Sequence, residues 1–348
     1  MTEELMAESI TEKTRDGAFA ASSAGEERAT QSAGHRRTIL RVVDRVSLVA
    51  FLVVLIVVFS LMSPQFFTID NFGVILSNAA VIGIVCVGQT FVIISGGFDL
   101  SVGGVIPLTS VAFAMAANAG IPLPVVLVLV LIGAALFGVG NGLLVSKAHI
   151  SPLIATLATT SIAGGLAFSI SQGLSVPFKD PATGVLADRG LFGIPNQIFL
   201  FVLVVIVAAI VLRFTIYGRS VYAIGGNGEA SRLAGMRVDL MLVSVYALSG
   251  MLAGLGGVVL SSQLLSGSGS IGTDSALTSI AAVVLGGAAL TGGVGTVWGT
   301  VFGVLILGVL SNGLALLQVS SFYQTIATGC VLLLAVGFGR LTSRSSRK

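Results

Sequence analysis

The sequence predicts an all-α, polytopic membrane protein of about ten spanning helices, and three observations carry that prediction. Hydrophobic residues make up 55% of the 348 residues and charged residues only 9%, with a mean hydropathy of +1.03, whereas soluble domains carry about 25% charged residues. Apolar runs of roughly 17 to 25 residues recur along the chain, the length at which a helix rising ~1.5 Å per residue crosses a bilayer core. These runs do not alternate with period two, which excludes a membrane β-barrel. The net charge of +3 and pI near 9.1 come from loop arginines. Membrane topology accounts for them without nucleic acid.

Residues 1–45 are rich in Glu, Ala, Ser and Thr, lack apolar periodicity, and read as a disordered tail with a basic end at Arg36, Arg37, Arg41 and Arg45. No apolar region precedes Leu48, so a cleaved secretory signal is not expected and the first helix is read as a retained anchor. Spans are expected near 46–62, 71–95, 102–119, 122–145, 153–171, 197–212, 240–261, 276–290, 296–317 and 323–339, followed by a basic tail at 341–348. With the N-terminus inside, ten crossings leave both termini in the cytoplasm and put every basic residue there except Lys179 and Arg189. Eight or twelve crossings would part the arginine-rich loop from one terminus or require a break that the sequence does not show. The outer loop near 172–196 holds Pro177, Pro181 and Pro195 with Lys179 and Arg189 balanced by Asp180 and Asp188; it reads equally as a partner surface or as a solvated lid.

The halves echo one another about 171 residues apart. Asn141-Gly142-Leu143 matches Asn312-Gly313-Leu314, Ile154-Ala155-Thr156 matches Ile326-Ala327-Thr328, and Asp99 and Asp274 follow the second and seventh spans. A five-helix unit used twice must enter the membrane from opposite sides, giving two inverted five-helix repeats in a transmembrane domain over 46–340.

Two polar, glycine-rich interruptions are candidates for a translocation path or helix break. In GGFDLSVGG at 96–104, Gly97 and Gly103 flank Asp99 and Ser101. Glycine lets backbone leave the helix, and Asp99 or Ser101 either caps the next helix or lines a cavity with it. In SGSGSIGTD at 266–274, Asp274 repeats that cap logic. Asn78, Gln89, Asn141 and Asn312 sit inside spans, either lining a path for a hydroxylated solute or bonding across helices. LGG at 285–287 with TGGVGT at 291–296 reads as a tight cytoplasmic turn between close-packed helices.

The loop at 213–239 is longer than a connection needs. It carries Arg213, Arg219, Arg232 and Arg237 against Glu229 and Asp239, and reads as a Gly-Gly-Asn-Gly turn at 225–228 followed by a short helix at 229–233 that Gly235 stops. It is read as a docking element, the alternative being a basic loop resting on headgroups.

No phosphate-binding GxxxxGK[ST] motif is present, so ATP hydrolysis is not expected on this chain. No nucleophile and base stand out as catalytic residues, and the spans lack a chain of ionisable residues for a proton relay. Cys86 and Cys330 lie in apolar runs, and His35 and His149 lack ligand partners, so no disulfide framework or metal site is read.

Four ordered stretches, GGFDLSVGG at 96–104, YGRSVYAIGGNGEASRLAGMRV at 217–238, SIAAVVLGGAALTGGVGTVWGT at 279–300 and NGL at 312–314, resemble the permease subunits of ribose-type ABC importers over nearly the whole membrane region. The resemblance implies a ten-helix permease in a bacterial cytoplasmic membrane, surrounded by lipid. It implies a second permease subunit, identical or related, two ATP-binding subunits that hold ATP and Mg, and an extracytoplasmic solute-binding protein delivering a monosaccharide. It maps the family's coupling loop onto 218–235, with Gly218, Gly225, Gly226, Asn227, Glu229, Ala230, Arg232 and Gly235 seating the ATPase, and its DLSVG signature onto 99–103. The tail of about 35 residues is longer than the family usually shows. A stand-alone sugar facilitator, an ABC permease for a nucleoside, branched-chain amino acid or signalling furanose, and a scaffolding protein are the competing readings.

Overall fold

The computed structural model describes residues 48–188, 190–330 and Leu333. The tails expected at 1–45 and 341–348, Arg189, and most of the tenth span beyond Cys330 lie outside the described residues. The chain divides into two units at Ala50 and Phe51; of the first, Met1–Ala50, only 48–50 are described, and the second is Phe51–Lys348.

Among the described residues twelve α-helices follow in order: α1 (Leu48–Met62), α2 (Ile69–Ile94), α3 (Val102–Asn118), α4 (Leu123–Ser146), α5 (Pro152–Ser171), α6 (Asn196–Phe214), α7 (Ile216–Gly226), α8 (Gly228–Leu233), α9 (Val238–Leu264), α10 (Ser275–Leu285), α11 (Val297–Leu316) and α12 (321–330, as far as described). Each of the first nine expected spans holds a helix, and the described start of the tenth, 323–330, is helical. Six of them, α2, α4, α5, α6, α9 and α11, are long and apolar enough to cross a membrane by length and composition, while α1, α3 and α10 are shorter. The clearest departure is α10, expected over 276–290 and ended at Leu285. Gly286 there lies backbone to backbone with Gly299, and Gly287 turns the chain at φ +88°, a conformation that a residue with a Cβ resists.

The centre is the antiparallel pair α2 and α9, whose most apolar windows are 83% and 61% buried, against 22% for α4. Their register is fixed at three points. A Cβ on Gly88 would lie 3.0 Å from Ser249 Cα and one on Gly256 2.6 Å from Val85 Cγ2, and Gln263 Nε2 donates to Asn78 Oδ1 at 2.9 Å. Around the pair, Phe201, Val205 and Leu212 of α6 pack on Ile84, Phe91 and Tyr246. Glycines set the other close approaches: Gly138 and Gly142 of α4 meet α9 backbone, and Gly303 of α11 meets the Ala282 carbonyl of α10. Lipid tails are as apolar as leucine, so such backbone contact, rather than apolar burial, holds membrane helices together.

The connection near 172–196 is anchored on α3. Asn118 Nδ2 donates to the Pro177 carbonyl and its Oδ1 accepts from Lys179 N–H, while the two-residue strands β1 (Val176–Pro177) and β2 (Ser266–Gly267) pair antiparallel.

Candidate functional site: two broken helices meeting inside the bundle

After Ile94 the chain does not leave the bundle. Ser95 closes α2, Gly96 adopts φ +87°, and Gly97 N–H bonds back to the Val92 carbonyl at 3.0 Å. The segment 95–99 thus returns alongside the last turns of α2 until Asp99 lies beside Gln89. With its amide nitrogen on the Asp99 carbonyl, Gln89 bonds both backbone groups of Asp99, at 3.1 and 3.3 Å. The carbonyls on either side are also bonded, Phe98 by the Tyr246 hydroxyl at 3.2 Å and Leu100 by the Thr160 hydroxyl at 2.8 Å. Irregular backbone at membrane depth persists only where protein or water satisfies it, and here side chains from α2, α5 and α9 do so.

The Asp99 side chain is fully buried. Its Oδ1 accepts from the Ser101 N–H at 3.0 Å and from the Ser101 hydroxyl, and its Oδ2 accepts from Ser249 Oγ at 2.7 Å. Asn141 Nδ2 donates to Ser101 Oγ at 2.8 Å, and the Thr159 hydroxyl donates to Asn141 Oδ1. One polar network therefore joins α3, α4, α5 and α9. Ser249 lies ten residues beyond Asp239 on α9, about 15 Å at helical rise, half the ~30 Å of a bilayer core. Asp239 marks the start of that distance through its exposed pairs with Lys147 at 2.8 Å and Arg232 at 2.6 Å.

The second interruption reaches the same depth from the other end of α3. Gly267 packs on the Ser110 carbonyl, Ser268 exchanges hydrogen bonds with the Ser110 hydroxyl, Gly272 touches Ile106, and the Thr273 carbonyl lies 2.8 Å from where a Gly103 Cβ would be. The segment 267–273 thus descends along α3 without helical structure. α10 then starts beside α3 and, with 11 residues, extends only ~16 Å. A Cβ on Gly103 would also lie 3.3 Å from Ala276 Cβ. The starts of α3 and α10 face one another across Gly103.

The expected site residues separate accordingly. Gly97, Asp99, Ser101, Gly103 and Gln89 come together; a Cβ on Gly97 would lie 2.5 Å from the Tyr246 hydroxyl and displace it. Two cap expectations need correction. Ser101 occupies the N-cap position of α3 without a side-chain cap bond, the Asp99 carboxylate taking the Ser101 N–H instead, and Asp274 at the N-cap of α10 makes none and is exposed. Asn78 stands apart with Gln263, and Asn312 pairs reciprocally with Asn71 at 2.9 and 3.0 Å. Sequence reasoning missed Ser249, Tyr246, Thr159 and Thr160. The signal available was the polar pair 246 and 249, which the three-residue spacing places on one face of a glycine-rich helix.

The arginine-rich loop differs from its expectation in one respect. Gly225 and Gly226 close α7 rather than forming a turn, and Asn227 alone breaks the helix at φ −160°, its side chain accepting from Ala230 N–H at 2.9 Å as the cap of α8. Gly235, at φ +82°, ends α8 with bonds from Gly235 N–H to the Arg232 carbonyl and from Met236 N–H to the Ser231 carbonyl, a Schellman closure. Glu229, Ala230, Arg232 and Leu233 are exposed, Leu233 by 86%, while Ser231 is buried.

Against known proteins, the chain is 40% identical over 290 residues to the ribose import permease protein RbsC of Haemophilus influenzae, covering 82% of this chain and 90% of that protein. It is 40% identical over 300 residues to RbsC of Bacillus subtilis, covering 84% and 91%. It is 35% identical over 307 residues to the L-arabinose transport system permease protein AraH of Escherichia coli, covering 88% and 94%. No solved structure gave a significant match. The profile of the family described as branched-chain amino acid transport system / permease component matches residues 71–336, and the chain belongs to that family of transport permeases.

Proposed function

We propose that this chain is the permease subunit of an ABC importer that moves a monosaccharide of the ribose or arabinose kind. The observation that carries this reading is the near full-length identity of 35–40% to permeases named for ribose and L-arabinose. The family description names branched-chain amino acids; the sugar reading is preferred because it comes from individual relatives matched along almost their whole length.

In this reading the domain over 46–340 crosses the membrane ten times with both termini in the cytoplasm of a bacterial cell, as two inverted five-helix repeats. Packing supports the repeat: α9 lies on α3 and α4, and α2 lies on α10 and α11, the exchange expected if α2 corresponds to α9, α3 to α10 and α4 to α11. The breaks before α3 and α10, with Asp99 and Asp274, border the path, and alternating access opens it to one side and then the other. Asn78, exposed on α2, belongs to the same path. The loop over 213–239 docks on one of two partner ATPases, which hold ATP and Mg. Gly218, Gly225, Gly226, Asn227 and Gly235 shape it, and Glu229, Ala230 and Arg232 present its surface. A second permease subunit and an extracytoplasmic solute-binding protein complete the importer.

The test is purification of the chain with its ATPase, followed by uptake of labelled ribose, arabinose and leucine into vesicles. Glu229→Ala with Arg232→Ala should lose the ATPase while the permease stays folded. Binding of no ATPase by the wild type, together with sugar equilibration by this chain alone, would replace the importer reading with that of a facilitator. Leucine uptake without sugar uptake would replace the cargo.

A further inference from the structure

Three glycine-containing backbone segments meet where α7 ends. A Cβ on Gly225 would overlap the Ile94 carbonyl oxygen and would lie 2.6 Å from Gly293 N. A Cβ on Gly292 would lie 2.7 Å from the Gly225 carbonyl oxygen and 2.8 Å from Gly96 Cα. Gly293 N–H donates to the Ile94 carbonyl at 2.8 Å, and the Tyr222 hydroxyl donates to the Gly295 carbonyl at 2.8 Å. The end of α2, the end of α7 and the loop between α10 and α11 are therefore in direct main-chain contact.

We propose that this junction is the rigid link that carries displacement of the α7–α8 element to the Asp99 segment, with Gly225, Gly293 and Tyr222 as positioning residues. It rests on the importer reading, in which α8 is the part the ATPase moves. Side chains absorb small shifts by changing rotamer, whereas main chain in contact with main chain has no such freedom. The junction also satisfies the Ile94 carbonyl, one of the acceptors that a helix end leaves open. From Ile94 the chain reaches Asp99 within five residues and, through Ser249 and Asn141, α9 and α4. On the other side, the 291–295 loop leads into α11, whose Gly299 and Gly303 press on α10. A shift of α7 is thus imposed on both broken helices together. Coupling between distant sites needs such a contiguous element that both ends bias.

The test measures ATP hydrolysis and sugar uptake in parallel in the reconstituted importer carrying Gly225→Ala, Gly293→Ala or Tyr222→Phe. Gly73→Ala on α2, where a Cβ meets nothing within 4 Å, is the control. Sugar moved per ATP hydrolysed should fall at least about fivefold in the glycine variants that assemble and about twofold in Tyr222→Phe, with hydrolysis retained. A merely structural defect would lower both activities together and leave the ratio unchanged. If the glycine variants fail to assemble, Tyr222→Phe decides, since it removes one hydroxyl and introduces no overlap. A wild-type ratio in the assembled variants, or in Tyr222→Phe where it alone assembles, would overturn the proposal. Failure of the wild-type complex to hydrolyse ATP or take up sugar would instead overturn the importer reading on which it rests.

Discussion

Replacing Ser249 by Ala removes one oxygen from the middle of α9 and tests whether the Asp99 network holds the break in place. Ser249 and Asp99 are 1% and 0% exposed, and Ser249 Oγ is the donor to Asp99 Oδ2 at 2.7 Å. Neutral hydrogen bonds between membrane helices average about 0.6 kcal/mol and reach about 1.7, because the unfolded helices find other partners. Here the loss strands an acceptor that water does not reach, which costs about 1–3 kcal/mol. At ~1.4 kcal/mol per tenfold, that is roughly a 5- to 150-fold shift in the unfolding equilibrium.

Ser261→Ala supplies the comparison. It makes the same chemical change on the same helix at a residue that is 0% exposed, but Ser261 Oγ donates only to the Val258 carbonyl of its own helix, at 2.9 Å. That substitution should cost less than about 0.5 kcal/mol, as a local hydroxyl contact competes with the helix more than it supports it. The assay is reversible unfolding in mixed micelles with rising dodecyl sulfate, followed by circular dichroism. Equal costs for Ser249→Ala and Ser261→Ala would refute the reasoning, since they would mean that bonding to Asp99 adds nothing to burial of a hydroxyl.

The same assay checks two further expectations. Gly138→Ala, whose Cβ would overlap the Tyr246 carbonyl oxygen, should force α4 from α9 and destabilise by about 1–3 kcal/mol, while Gly140→Ala two residues on, where a Cβ meets nothing within 4 Å, should stay within about 1 kcal/mol of the wild type. Asp274→Asn, at an exposed carboxylate with no cap bond, should change stability by less than about 0.5 kcal/mol, whereas Asp99→Asn should cost more because it replaces an acceptor that serves Ser101 and Ser249.

Helix positions were readable because most apolar runs are bounded by polar or glycine-rich residues: α2, expected over 71–95, runs from Ile69 to Ile94 and is followed by the pair Gly96-Gly97. The end of α10 was readable from its glycines but not from hydropathy: LGG at 285–287 reads as a turn, while Ala288, Ala289 and Leu290 extend the apolar run beyond Leu285. The helix stops at that turn, where Gly287 adopts φ +88° and Gly286 lies against the backbone of Gly299 on α11, a contact that hydropathy does not record. The site was half readable for a similar reason. Asp99 stands out as an acidic residue ringed by glycines, but Ser249 is an ordinary small residue in a helix rich in them, and its role comes from lying 150 residues away in sequence and 2.7 Å away in space. The echo between the halves was readable as pattern but not as equivalent bonding. Asn141 joins the Asp99 network, while Asn312 at the matching position pairs with Asn71 at the other end of α2.

That asymmetry extends to the two helix starts. Moving the start of α3 away from its neighbours would break the bonds from Ser249, Tyr246, Thr160 and Asn141, and would leave a carboxylate and three carbonyls inside the bundle to find new partners. At the start of α10 the Asp274 carboxylate takes part in none of the described hydrogen bonds, and Ser268 and Ser270 bond mainly to one another and to Ser110. Two breaks that look alike as glycine, serine and aspartate in the sequence are thus unlike in the cost of disturbing them. The break at Asp99 is held by several helices at once, and the break at Asp274 is held chiefly by the descent of its own chain along α3.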